Sequence, residues 1–212
     1  MAYFLCNNGG GASGIEFEKT LLGTGSNSSS DVTITLQHDY NDYEFLLFEY
    51  IDNSNDNYNA FSLIPVELIN KAIPLNTNNY FFVHGYGGSN RAVMSKNTNT
   101  EFVYHGSPSG SGYIKNIYGV NLNYKSKTLL YDRGTPANTN VQPVIPTIED
   151  YDIIFGYQCD GDGLRPFIWP IWYIKETKGG IYLSGSVRQK VMYGSDGTLT
   201  SGKYMYILGY KI

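Results

Sequence analysis

The chain has 212 residues, a net charge of −4 and a pI near 5.3, and its fifteen basic residues are scattered, which excludes a phosphate backbone as its main partner. No run approaches the length of a membrane span, and no basic segment leads into an apolar one at the N-terminus, so neither membrane insertion nor a signal peptide is expected. Only 16% of residues are charged, while there are 20 Tyr and 24 Gly beside many Asn and Ser, a composition suited to a recognition surface.

In chain order, Met1 to Leu5 form a short apolar tip, and residues 6 to 14 a glycine-rich tether with no core of its own. Residues 1–14 therefore read as an N-terminal arm, with Tyr3, Phe4 and Leu5 as its attachment residues. Val32 to Leu36 alternates apolar and polar residues, and Tyr43 to Ile51 is a β-branched and aromatic run between Asp and Asn clusters, so both read as strands. Further strands are predicted at 61–69, 80–85, 101–104 and 114–122. The second half repeats this at 141–145, 151–158, 167–175, 181–183, 187–193 and 203–212. Pro65 to Lys71 has helical character, but its counterpart from Pro170 is rich in strand formers, and both are expected to be strands. Short, evenly spaced strands indicate an all-β sandwich or barrel.

The halves also resemble one another. Lys19-Thr20-Leu21-Leu22 returns as Lys127-Thr128-Leu129-Leu130, and Asp42-Tyr43-Glu44-Phe45 as Asp150-Tyr151-Asp152-Ile153, both 108 positions later (127 − 19, 150 − 42). Pro65 matches Pro170, and Gly119 matches Gly209, at the smaller offsets of 105 and 90 (170 − 65, 209 − 119). An ordered series with a shrinking offset is what a duplicated unit with shortened loops leaves behind. The expected organisation is an arm over 1–14 and two tandem homologous modules, 15–124 and 125–212. Each is large enough to fold without disulfides or metals, and Cys6 and Cys159 hold non-equivalent places.

Catalytic chemistry is hard to find. His38, His84 and His105 show no metal-ligand spacing, and there is no Gly-x-Ser-x-Gly elbow, so neither enzyme activity nor a cofactor is expected. Asp42 with Glu44, and Asp150 with Asp152, mimic paired glycosidase carboxylates but sit where a solvated turn enters a strand. The loops Asp52 to Asp56 and Asp160 to Gly163 have oxygen side chains at alternate places without the downstream Glu of a calcium loop. Gly106 to Gly112 lacks the Lys and helix of a phosphate loop and reads as a β-connection. With the prolines aligned, Trp172 takes the place of Glu67, a wet position, which makes it the candidate binding residue.

The start Met-Ala-Tyr-Phe-Leu with its glycine run, the strands entered through Asp-Tyr-Glu and Asp-Tyr-Asp, and the close Ile207-Leu-Gly-Tyr-Lys-Ile212 resemble small virion proteins of tailed phages and prophages. The resemblance implies a tail, fibre or baseplate protein in the virion, contacting other virion proteins and a host-surface glycan or protein. A capsid decoration or head-fibre protein and a free carbohydrate-binding β-protein are the alternatives. A homo-oligomer, with a trimer favoured, is expected because both alternating sets in Tyr43 to Tyr50 are apolar and need cover on two sides.

Overall fold

The computed structural model describes residues 17–28, 30–52, 58–75, 80–84, 92–106, 112–134, 139–145, 148–160, 163–172, 198–199 and 204–212. The arm residues Tyr3, Phe4 and Leu5, the interiors of both acidic loops and most of the glycine-rich connection lie outside them. Twelve strands are described: β1 (Phe17–Thr24), β2 (Val32–Thr35), β3 (Phe45–Asp52), β4 (Tyr58–Pro65), β5 (Tyr80–His84), β6 (Ala92–Thr98), β7 (Glu101–His105), β8 (Gly112–Leu122), β9 (Ser126–Asp132), β10 (Ile153–Asp160), β11 (Gly163–Pro170) and β12 (Tyr204–Lys211). They form three antiparallel sheets: a central one ordered β1-β8-β3-β4, an outer one ordered β2-β7-β6-β5 and a C-terminal one ordered β11-β10-β12-β9. Among the described residues the chain is all-β apart from short helical turns and the helix that follows β4.

That helix, α1 (Val66–Ala72), corrects the strand expected from residue 61 through 69. Pro65 pre-sets φ at −57° at its N-cap, and the period-two pattern then gives way to buried Val66, Ile69 and Ala72 at a spacing of three, with Leu68 beside them. Glu67 in the first turn and Lys71 in the last complement the helix dipole. After Pro170 the chain likewise turns helical at residues 171–172, where a strand was expected.

The central and C-terminal sheets share strand order and register. Gly119 pairs with Leu46 and Thr20, and Gly209 with Ile154 and Thr128. Pro65 pairs with Phe45, and Pro170 with Ile153. The rings of Tyr43 and Tyr151 each fill the space over the paired glycine. The Val66 N–H donates to the Glu44 carbonyl at 2.8 Å, and the Ile171 N–H to the Asp152 carbonyl at 2.9 Å. Leu36 N–H binds the Thr100 carbonyl beside β2, and an isolated antiparallel bridge joins Val144 to Thr198 in the second half.

The central sheet is covered on both faces by this chain. Phe48 meets Phe81 of the outer sheet with ring centroids 6.1 Å apart, and Phe45, on the opposite face, meets Phe155 and Tyr210 of the C-terminal sheet at 5.3 Å each. Both alternating sets of β3 are thereby buried within one molecule, so their apolar character makes no demand for a second copy. A further cluster, including Ile154, Phe167, Trp169 and Ile207, fills the other face of the C-terminal sheet. Each large side chain so buried contributes roughly 1.5–3 kcal/mol.

Candidate functional site

The chain passes from the central to the C-terminal sheet through three residues between β8 and β9, and a cleft lies beside that link. Tyr124, in the middle of that link, sets its ring edge-on to Tyr210 at 5.2 Å and donates its hydroxyl to Glu44 Oε1 at 2.7 Å. The Glu44 main-chain N–H is in turn held by Asn121 Oδ1 at 3.0 Å. Around this pair lies a cleft of about 380 Å3 whose walls include Tyr43, Glu44, Glu67, Asn70, Tyr124 and Lys127. A second hollow of about 570 Å3, open to solvent, continues past Glu44 and Tyr124 to Leu122 and Ile212.

Helix α1 supplies the far wall. Glu67 accepts from Lys127 Nζ at 2.7 Å and from the Tyr206 hydroxyl at 2.8 Å, which ties the helix to β9 and β12. Lys71 pairs with Asp132 at 2.7 Å and stands over the Tyr206 ring. Asn70 donates to Asn41 Oδ1 at 2.9 Å and accepts from the Tyr40 hydroxyl. Each polar group is thus oriented by a neighbour before any ligand arrives.

Electrostatically the cleft sets two carboxylates, Glu44 and Glu67, beside the Lys127 ammonium. Burial opposes ionisation of Glu67, yet the hydrogen bonds from Lys127 and Tyr206 outweigh it and hold the carboxyl below its usual range. The Glu44 hydrogen bond, aided by burial, pushes the Tyr124 hydroxyl up to about 12. Burial first, then Glu67, raises Tyr206. A general acid needs a carboxyl raised toward neutrality, and Glu67 is moved the other way.

The acid pairs singled out in the sequence are separated in role. Asp42 belongs to a 3₁₀ turn, Tyr40–Asp42, while Glu44 faces the cleft. Asp152 is occupied by Lys211 at 3.2 Å and by the Ile212 N–H at 2.8 Å. Trp172 is 43% exposed, just beyond β11, and Glu67, the residue it replaces, is engaged at the junction. Among the described residues no group of three or more His, Cys, Asp or Glu side chains could hold a metal ion, and no helix is long and apolar enough to cross a membrane.

In the sequence Lys127 stands out only as a repeat anchor, and no local pattern marks Tyr124. The available signal is that both sit at or beside the short link between the central and C-terminal sheets. No protein-family model, no characterised protein and no solved structure matches this chain.

Proposed function

We propose that the chain is a structural protein of a tailed-phage or phage-like particle, a tail or fibre appendage built of tandem homologous β-modules, and that the cleft at their junction binds a host-surface glycan. The observation that carries the binding role is the grouping of Tyr43 and Tyr124 with Glu44, Glu67, Asn70 and Lys127 in one pre-oriented cleft. A pyranose offers an apolar C–H face and a rim of hydroxyls. A tyrosine ring suits the first, and carboxylate, amide and ammonium groups suit the second.

The modular reading, with an arm over 1–14 and units over 15–124 and 125–212, is supported by the shared registers of Gly119 and Gly209. The particle setting rests on the sequence resemblance. In this setting Tyr3, Phe4 and Leu5 attach the chain to another virion protein, and Trp172 is a second aromatic contact. A free carbohydrate-binding protein is the second reading, favoured by the same cleft, and the arm separates the two because a free lectin has no use for it.

Immunogold labelling of purified particles, together with a glycan array probed with the full chain, tests both parts. Label on the particle and retention of glycans support the proposal. Retention without particle label supports the second reading, and absence of both sinks the function altogether.

A further inference from the structure

On the outer sheet, apart from the cleft, three side chains stand in the order carboxylate, imidazole, hydroxyl. His105 Nδ1 lies 2.9 Å from Asp31 Oδ2, and His105 Nε2 lies 2.8 Å from Ser95 Oγ. The topology explains the meeting. Ser95 of β6 pairs with Val103 of β7, so His105, two residues on, shares its face as a diagonal neighbour. Asp31 immediately precedes β2, whose first residue pairs with Tyr104, and so arrives beside His105. Met94 and Tyr104, the neighbours of Ser95 and His105, are 0% and 1% exposed and point into the core, which leaves this trio on the outward face.

We propose that Ser95 is an activated hydroxyl that accepts an acyl group from an activated ester, with His105 as its base and Asp31 as the residue that positions the base. A carboxylate at Nδ1 keeps the ring proton on that nitrogen, which turns the Nε2 lone pair toward the serine. The Tyr80 ring, 4.4 Å from the imidazole centroid, packs on it and limits its rotation. In the step itself Oγ bonds to the ester carbonyl carbon, and its proton passes to Nε2. The bond from carbonyl carbon to leaving oxygen then breaks, and Nε2 returns the proton to that oxygen. No oxidant or reductant enters.

The surroundings also set the limit of this chemistry. Ser95 has ladder partners on both sides, Tyr80 and Val103, so its own main-chain N–H serves the sheet and not a developing oxyanion. Loss of one such donor typically costs about 10²–10³ in rate. The reaction is therefore restricted to good leaving groups and stops at the acyl-serine after one equivalent.

The test is to treat the full chain with p-nitrophenyl acetate, and separately with a fluorophosphonate probe, and to locate adducts by intact mass and peptide mapping. Wild type is expected to carry an adduct on Ser95. Ser95→Ala removes that adduct, and His105→Gln slows its formation by about 10²-fold or more. Asp31, with a side chain 62% exposed, tolerates replacement, and Asp31→Asn slows the reaction with an unchanged melting temperature. The Asp31→Asn variant keeps the test decisive if His105→Gln unfolds. No adduct at Ser95, or one whose rate ignores both His105 and Asp31, would show the trio to be a structural clasp and overturn the proposal.

Discussion

The ring of Tyr43 lies so close over Gly119 that a Cβ placed there would fall 2.4 Å from its carbons. Tyr151 stands over Gly209 in the same way, at 2.6 Å. Gly119→Ala and Gly209→Ala are each expected to destabilise the chain by roughly 1–3 kcal/mol through overpacking. At this chain length that lowers the melting temperature by about 2–4 °C per kcal/mol. Calorimetry of the two variants checks it, and unchanged melting in both would show that these contacts do not constrain the fold.

Phe45 joins the central sheet to the C-terminal one. Phe45→Ala is expected to cost roughly 3–5 kcal/mol. A double-mutant cycle with Phe155→Ala should give a coupling of about 0.5–1.5 kcal/mol for the ring pair. Additive losses would mean that the sheets do not cooperate through these rings.

Much of this core was legible in the sequence. Tyr43 to Ile51 announced a strand buried on both faces, and Gly119, Gly209, Pro65 and Pro170 hold corresponding places in the pairing. What covers the strand was not legible, because an apolar set records only that cover exists, and here the second half of the same chain supplies it. Strands β1 and β9 carry no clear signal in the sequence, since their charged and polar residues mask the alternation, as befits sheet edges. Strand β6 was missed because Ser95 to Thr98 is polar throughout. In helix α1 the three-residue apolar spacing competes with the strand formers that follow Pro170, which point to a strand. The cleft joins residues far apart in the chain, such as Glu44 with Tyr124, and no local pattern encodes such a meeting.

The Tyr124 hydroxyl offers an alkaline readout. Its ordinary value is 10.0, and Glu44 beside it raises it to about 12. Between those values the unfolded chain sheds this proton while the folded chain keeps it, so the stabilising contribution present below pH 10 is lost as pH rises toward 12. Glu44→Gln should bring the tyrosine back toward its ordinary value in an ultraviolet titration. An unmoved titration would show that the bond to Glu44 does not govern it.

On the acid side, burial opposes ionisation of Glu49, but hydrogen bonds from Asn116 and Lys115 prevail and lower it, as Lys127 and Tyr206 do for Glu67. A lowered carboxyl contributes stability above its unfolded value, here 4.5, and that contribution is lost as pH falls below it. Glu49→Gln should therefore flatten the fall in stability below pH 4.5. A denaturation series at graded pH that shows the wild-type slope in the variant would contradict this.

The central claim, that the junction cleft holds a glycan, is tested most directly by calorimetric titration of the full chain with a host-surface polysaccharide retained on the array. The titration is repeated with a Glu44→Gln, Tyr124→Ala double variant of unchanged fold. Saturable binding by wild type, weakened at least tenfold in the variant, a loss of about 1.4 kcal/mol, is the expected result. Equal affinity in the two proteins would place recognition elsewhere on the molecule and contradict the account.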